Sequence, residues 1–234
     1  MGECIRIDTL DGEERFGGYL AMPAGTGRFP GIVVVQEIFG VNAGIRAMCD
    51  DWAKAGFIAL APDLFWRIEP GVELSDKTDA DWSRAFALMN RFDQDTGIRD
   101  IEAAIRAVRA LPASTGKVGV VGFCLGGRLA YLAAARTDCD ASVGYYGVGI
   151  EGLLSESHAI ARPLMLHIAE EDKFVDKAAQ TKIRDGLGAH PRVTLHSYAG
   201  VDHAFARVDG IHRDDAAAAL ANGRTLDFFR RHLG

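Results

Sequence analysis

Two apolar rhythms alternate along the chain. Uninterrupted apolar runs of strand length recur at 30–36, 57–61, 118–121, 141–146, 163–168 and 193–198, each closed off by turn residues. Between them, apolar residues return every three or four positions. That spacing predicts helices over 45–55, 79–91, 98–111 and 126–135, another between the last two strands, and a closing helix over 214–232. Ahead of these, residues 4–22 alternate loosely and break at Asp11-Gly12, a strong turn dipeptide, so a leading antiparallel hairpin at a sheet edge is expected. Fully apolar strands alternating with helices belong to a mostly parallel sheet covered on both faces. The expectation is therefore an α/β fold in which residues 1–234 form one domain, with no internal repeat or linker.

Composition narrows the partners. With 48% hydrophobic and 25% charged residues in a 234-residue chain, a folded domain with a large core is expected rather than disorder. The 32 acidic residues outnumber the 26 basic ones, and no Lys/Arg stripe matches a phosphate backbone, so nucleic acid is not an expected partner. No basic leader with an apolar stretch opens the chain and no apolar run approaches membrane-spanning length, so no membrane partner and a cytoplasmic location are expected. Cys4, Cys49, Cys124 and Cys139 show neither a CxxC pair nor framework spacing, which argues against disulfides or a metal site. Cys49 reads as a small buried apolar side chain, and Cys4 and Cys139 lie near element ends.

Cys124 is different. Residues 116–127, GKVGVVGFCLGG, run from strand through a glycine-rich turn into helix, and the Gly-x-Cys-x-Gly arrangement matches a nucleophile elbow. In that turn the central residue takes strained angles that only small neighbours permit, and Gly122 and Gly126 supply the space. The following helix then sets its partial positive charge beneath the thiol. A dinucleotide phosphate loop is the alternative, but the GxGxxG register is missing.

A nucleophile needs a base, and the base an orienting acid, in the chain order nucleophile, acid, His. After the apolar run 163–168 comes Glu171-Asp172-Lys173-Phe174-Val175, and after 193–198 comes Val201-Asp202-His203. Both loops leave the carboxyl ends of strands, where the sites of open α/β sheets gather. Asp172 and His203 are the candidates, with Glu170, Glu171 and Asp202 competing as the acid. His167 and His196 fall inside strands, and the remaining histidines lie in polar or terminal segments.

With these residues in place, the sequence resembles the dienelactone hydrolases, or carboxymethylenebutenolidases. The likeness extends through Gln36-Glu-Ile-Phe-Gly-Val-Asn42, Ala61-Pro-Asp-Leu64, Phe92-Asp93, Val143-Gly-Tyr-Tyr-Gly-Val-Gly149 and His203-Ala-Phe-Ala-Arg207. It implies an α/β-hydrolase fold, no cofactor, a small lactone or ester substrate and a monomer. It also implies hydrolysis of a carboxylate-bearing unsaturated lactone to maleylacetate in (chloro)catechol breakdown. Carried over by position, Cys124 would form a thioester, His203 steered by Asp172 would handle protons, and the backbone N–H groups of Ile38 and Leu125 would hold the oxyanion. Glu37 would restrain the thiol by like-charge repulsion until the substrate's carboxylate engages Arg207, displacing Glu37 so that it takes the thiol proton. Its alternative role is a loop carboxylate capping the next helix. Arg207, Trp82, Phe86, Phe39 and Tyr146 are the implied substrate-binding residues.

One departure matters. Relatives carry a second carboxylate-binding Arg where Trp82 stands, a Tyr where Phe86 stands and a Trp where Met89 stands. Arg84 is near, but two helical steps rotate it by about 200° away from that face. A more apolar wall and a weaker hold on the carboxylate-bearing dienelactone are expected. A broader carboxylesterase or thioesterase therefore stays open as an alternative, and a non-catalytic ligand-binding relative is a more remote one.

Overall fold

The computed structural model describes residues 2–234. The hairpin is β1 (Glu3–Asp8) and β2 (Arg15–Ala21); β3 (Phe29–Val35), α1 (Ala43–Lys54) and β4 (Ile58–Pro62) follow. Then come α2 (Asp79–Arg91), α3 (Gln94–Ala110), β5 (Ser114–Phe123), α4 (Leu125–Arg136) and β6 (Ala141–Tyr145). The chain closes with β7 (Leu164–Ala169), α5 (Lys177–Leu187), β8 (Val193–Tyr198) and α6 (Asp215–Leu233). The eight strands form one sheet in the order β1-β2-β4-β3-β5-β6-β7-β8. β1 and β2 pair antiparallel and β2 meets β4 antiparallel, while the pairings from β4 to β8 are parallel.

The apolar runs are continuous because both faces are covered. In β3, Val33 and Val35 join the core under α3 and α4, and Ile32 and Val34 join the core under α1 and α6. Successive residues of a strand point to opposite faces, so no polar alternation is possible where both are dry. Phe228 and Phe229 of α6 close one layer, and Ile101, Ile105 and Val108 of α3 the other.

Five helices start from a side-chain cap. Asn42, Thr78, Asp93, Asp176 and Asp214 each accept from a backbone N–H in the first turn, which satisfies a donor the helix itself cannot. α4 has no such cap, and Cys124 stands at that position with φ 56° and ψ −114°. The turn closes tightly. A Cβ on Gly122 would sit 1.9 Å from the carbonyl oxygen of Gly126, and one on Gly126 would sit 2.5 Å from that of Gln36.

Some detail exceeds the sequence pattern. α3 begins at Gln94 because Asp93 caps it, four residues ahead of its first apolar position. Two 3-10 turns, Ile150–Gly152 and Leu154–Ala159, follow β6 where no element is predicted, being too short for a periodicity to register. No helix among the described residues is long and apolar enough to cross a membrane.

The glycine contacts separate two outcomes. Gly122→Ala forces a Cβ into backbone and is expected to lower the unfolding free energy by about 1–3 kcal/mol. Gly223→Ala, in α6 with nothing within 4 Å of its Cβ position, is expected to raise it by roughly 0.5–1 kcal/mol. Urea unfolding of both variants measures the contrast; equal effects would mean that the elbow is not sterically closed.

Candidate active site

Cys124 is held in its left-handed backbone from both sides. Its N–H donates to Tyr145 O at 3.0 Å, and its carbonyl accepts from the N–H groups of Arg128 and Val148 at 3.2 and 3.4 Å. Such strain, of order 1–3 kcal/mol, persists only where the surroundings over-determine it. The thiol stands above the carboxyl end of β5 and lines a cavity of about 260 Å³. Tyr146 and Ala204, at φ 38° and 64°, are also in the left-handed region, so each of three strand-end turns at the site carries a strained residue.

Of the four competing acids, the structure brings Asp172 to the histidine. Its Oδ1 accepts from the N–H groups of Phe174 and Val175 at 2.8 and 3.1 Å, and its Oδ2 takes the Nδ1–H of His203 at 2.8 Å. Asp202 instead pairs with Lys173 at 2.8 Å, Glu171 with Lys177 at 3.1 Å, and Glu170 lies 4.0 Å from Arg184. His203 is 3% exposed. Its Nε2 is buried without a hydrogen-bond partner among the described residues, and its ring shares the cavity with Cys124. His167, by contrast, is tied between Tyr198 and Thr225 at 2.7 and 2.9 Å in the core.

Glu37 is gripped by Arg207. The guanidinium gives Nε to Oε2 at 2.6 Å and Nη2 to Oε1 at 3.1 Å, and its Nη1 goes to Asp76 Oδ2 at 2.7 Å. Burial opposes the charge on Arg207, but the two carboxylates carry its pKa well above the ordinary arginine value. Asp76 also takes the Ile211 N–H at 2.9 Å, and despite burial these donors hold it below the usual carboxylate range. Asp76 is absent from the sequence reading; nothing in its surroundings along the chain marks it. Behind this cluster lies a larger groove of about 450 Å³ that excludes Cys124 and is lined by Glu73, Asp76, Asp81 and Asp209. Lys77 and Arg207 line it too, but five carboxylates, those of Glu37, Glu73, Asp76, Asp81 and Asp209, outnumber them.

Trp82, Phe86 and Met89 form the α2 wall of the cavity, and Ile38, Leu125 and Arg207 also line it. The Trp82 indole donates to Asp76 O at 3.0 Å, which fixes the ring edge-on to Phe39 with centroids 5.0 Å apart. Arg84 pairs with Glu69 on the surface, turned from the cavity as the helical rotation requires. Among the described residues, the N–H groups of Ile38 and Leu125 find no acceptor. Phe39 and Tyr146 do not line this cavity. Phe39 lies under the Arg207 guanidinium at 4.9 Å, and Tyr146 packs edge-on against His203 at 5.0 Å, so both support groups that face the cavity. The cavity also contains Arg128, which the sequence reading passes over although it stands four residues beyond Cys124. No group of three or more metal-ligating side chains occurs among the described residues.

The chain is similar over almost its whole length to known proteins. Residues 16–233 match the dienelactone hydrolase family. A protein of Azospirillum brasilense, provisionally named a carboxymethylenebutenolidase, is 52% identical over 94% of both chains. Carboxymethylenebutenolidase 1 of Cupriavidus pinatubonensis is 43% identical over 97% of this chain and 96% of its own. A structure from Klebsiella pneumoniae, provisionally titled a dienelactone hydrolase, superposes with a TM-score of 0.82 at 24% identity, covering 98% of this chain and 99% of that one.

The buried imidazole carries a pH signature. Burial acts to lower the pKa of His203, but the charge of Cys124 and the hydrogen bond to Asp172 outweigh it and raise the value from 6.5 to about 10. A folded-state value above the unfolded one stabilises fully below pH 6.5 and is lost as pH rises through about 10. His203→Gln removes this contribution, so the gap in unfolding free energy between wild type and variant is expected to narrow across that window. A gap that stays constant across it would contradict the coupling.

Proposed function

The chain belongs to the dienelactone hydrolase family, and on that premise we propose that it opens a carboxylate-bearing unsaturated lactone, a dienelactone, to maleylacetate through a thioester on Cys124. The observation that carries this reading is one cavity holding a strained, elbow-borne thiol beside a buried imidazole whose Nδ1 is fixed by Asp172 and whose Nε2 is free. Fixing Nδ1–H on a carboxylate leaves Nε2 as the catalytic nitrogen.

In the proposed sequence the substrate's carboxylate competes with Glu37 for Arg207, and the released Glu37 takes the Cys124 proton. The sulphur attacks the lactone carbonyl, and the N–H groups of Ile38 and Leu125, which find no acceptor among the described residues, suit the developing oxyanion. The ring C–O bond breaks to leave an enolate, a stable leaving group, which takes the proton of His203 and becomes the ketone. The acylated sulphur carries none of the thiolate charge that would hold a proton on His203, so burial then favours neutral imidazole. Nε2 can now take a proton from water, whose oxygen attacks the thioester. The C–S bond breaks, carboxylate leaves, the thiol is restored, and Glu37 and His203 return to their starting states with one net proton released. The pathway served would be aromatic or chloroaromatic breakdown.

A second reading, a broader carboxylesterase or thioesterase using the same groups, is favoured by the aromatic α2 wall at Trp82 and Phe86. Comparing kcat/KM on cis- and trans-dienelactone with that on neutral aryl esters separates the two.

With a slow ester, mass spectrometry of the intact protein is expected to find the acyl group on Cys124, and Cys124→Ala to lose both adduct and turnover. Glu37→Gln is expected to lower kcat by about 10²- to 10⁴-fold, the range of a positioned proton acceptor. Undiminished turnover in Cys124→Ala would refute the thioester.

A further inference from the structure

Arg128 stands one turn beyond Cys124 on α4, and a spacing of four puts both on the same helix face. Its side chain lines the cavity that holds Cys124 and His203. Among the described residues it forms no ion pair, and its Nε is buried with no hydrogen-bond partner. Burial pulls the guanidinium below its ordinary pKa, and the charges of Cys124 and Glu151 only partly oppose this. Glu151 does not resolve the matter, because its own Oε2 is buried and unpartnered. Arg207 makes the contrast: its Nε, Nη1 and Nη2 are all committed to Glu37 and Asp76. Arg128 is half-buried, and a cation partly drawn out of water and left unpaired against apolar walls is unfavourable unless an anion comes to it.

We propose that Arg128 is a substrate-specificity residue that binds a carboxylate of the substrate at the α4 end of the cavity, in a subsite separate from Arg207. The inference rests on Cys124 as nucleophile, since attack by that sulphur fixes where the scissile carbonyl lies. Four residues of helix rise about 6 Å, which sets the carboxylate a few bonds from that carbonyl. Trp82, Phe86 and Met89 cover the hydrocarbon between, and their low dielectric strengthens the charge contact. The class of substrate that fits is an acyl chain or lactone ring bearing a carboxylate at that reach, with or without a second carboxylate for Arg207. Against this stands a purely bracing role, because the guanidinium also lies near Gly149, whose Cβ position is 3.4 Å from Nη1.

Two aryl esters of equal chain length separate these roles: mono-para-nitrophenyl adipate, ending in a carboxylate, and para-nitrophenyl hexanoate, ending in a methyl. Arg128→Met is expected to lower kcat/KM on the adipate ester on the order of 10- to 100-fold, chiefly through KM, and to leave the hexanoate ester essentially unchanged. Arg128→Lys is expected to restore part of the adipate activity. A parallel fall on both esters would assign bracing and overturn the proposal, as would no fall on either. Wild type that turns over dienelactone but neither ester overturns this inference alone; wild type that turns over none of the three overturns the Cys124 chemistry and the inference with it. Turnover of both, with a ratio that Arg128→Met does not move, removes the inference alone.

Discussion

The left-handed backbone of Cys124 is the constraint on which the site depends. An L-residue holds that conformation only under compulsion, and here the compulsion comes from the backbones of Tyr145, Arg128 and Val148. Two glycine positions with no room for a Cβ let β5 and α4 meet closely enough for those bonds to form. Three consequences follow from this one turn. The thiol is lifted off the sheet into the cavity, α4 starts without the side-chain cap that five other helices have, and its first-turn N–H groups receive no side-chain acceptor from that position. A polar capping residue there would have satisfied those donors and removed their capacity to hold an anion.

The layered fold was legible because its strands are dry on both sides. Ile32 to Val35 serve two cores in turn, so the run could not be mistaken for a half-exposed strand. Cys124, Asp172 and His203 were legible for a related reason: parallel strands share a carboxyl end, and each residue follows one directly. Among Glu170, Glu171, Asp172 and Asp202 the sequence favours Asp172 only through the Phe174-Val175 that follows it, which reads as the chain turning back into packed structure. The difference between them is which oxygen receives the Phe174 and Val175 N–H groups while facing His203, and that is set by the turn after β7.

What stayed hidden was tertiary. Asp76 reaches Arg207 across 131 positions of sequence, from a loop with no regular pattern. Phe39 and Tyr146 belong to segments that mark the family, yet they lie one layer behind the cavity, where they fix Arg207 and His203 rather than face the substrate's space. Arg128 was readable in principle, since a cation four residues after the elbow must share its face. It reads as an ordinary helix-surface arginine until it is seen to line the same cavity as Val148, with Gly149 beside its guanidinium.

Electrostatics then divides the cavity. Glu37 and Asp76 both contact Arg207, so that corner carries at least as much negative as positive charge, and the groove behind it adds Glu73, Asp81 and Asp209. With a formal net charge of −6 over the whole chain, long-range attraction does not draw an anion in. Recognition of one must come from short contacts inside a water-poor space, where a single cation counts for more than it would at the surface. An anion arriving at Arg207 has to displace a bidentate carboxylate, whereas one arriving at Arg128 displaces none. On the proposal made for Arg128, the apolar α2 wall at Trp82 faces a receptive charge on α4, next to the thiol.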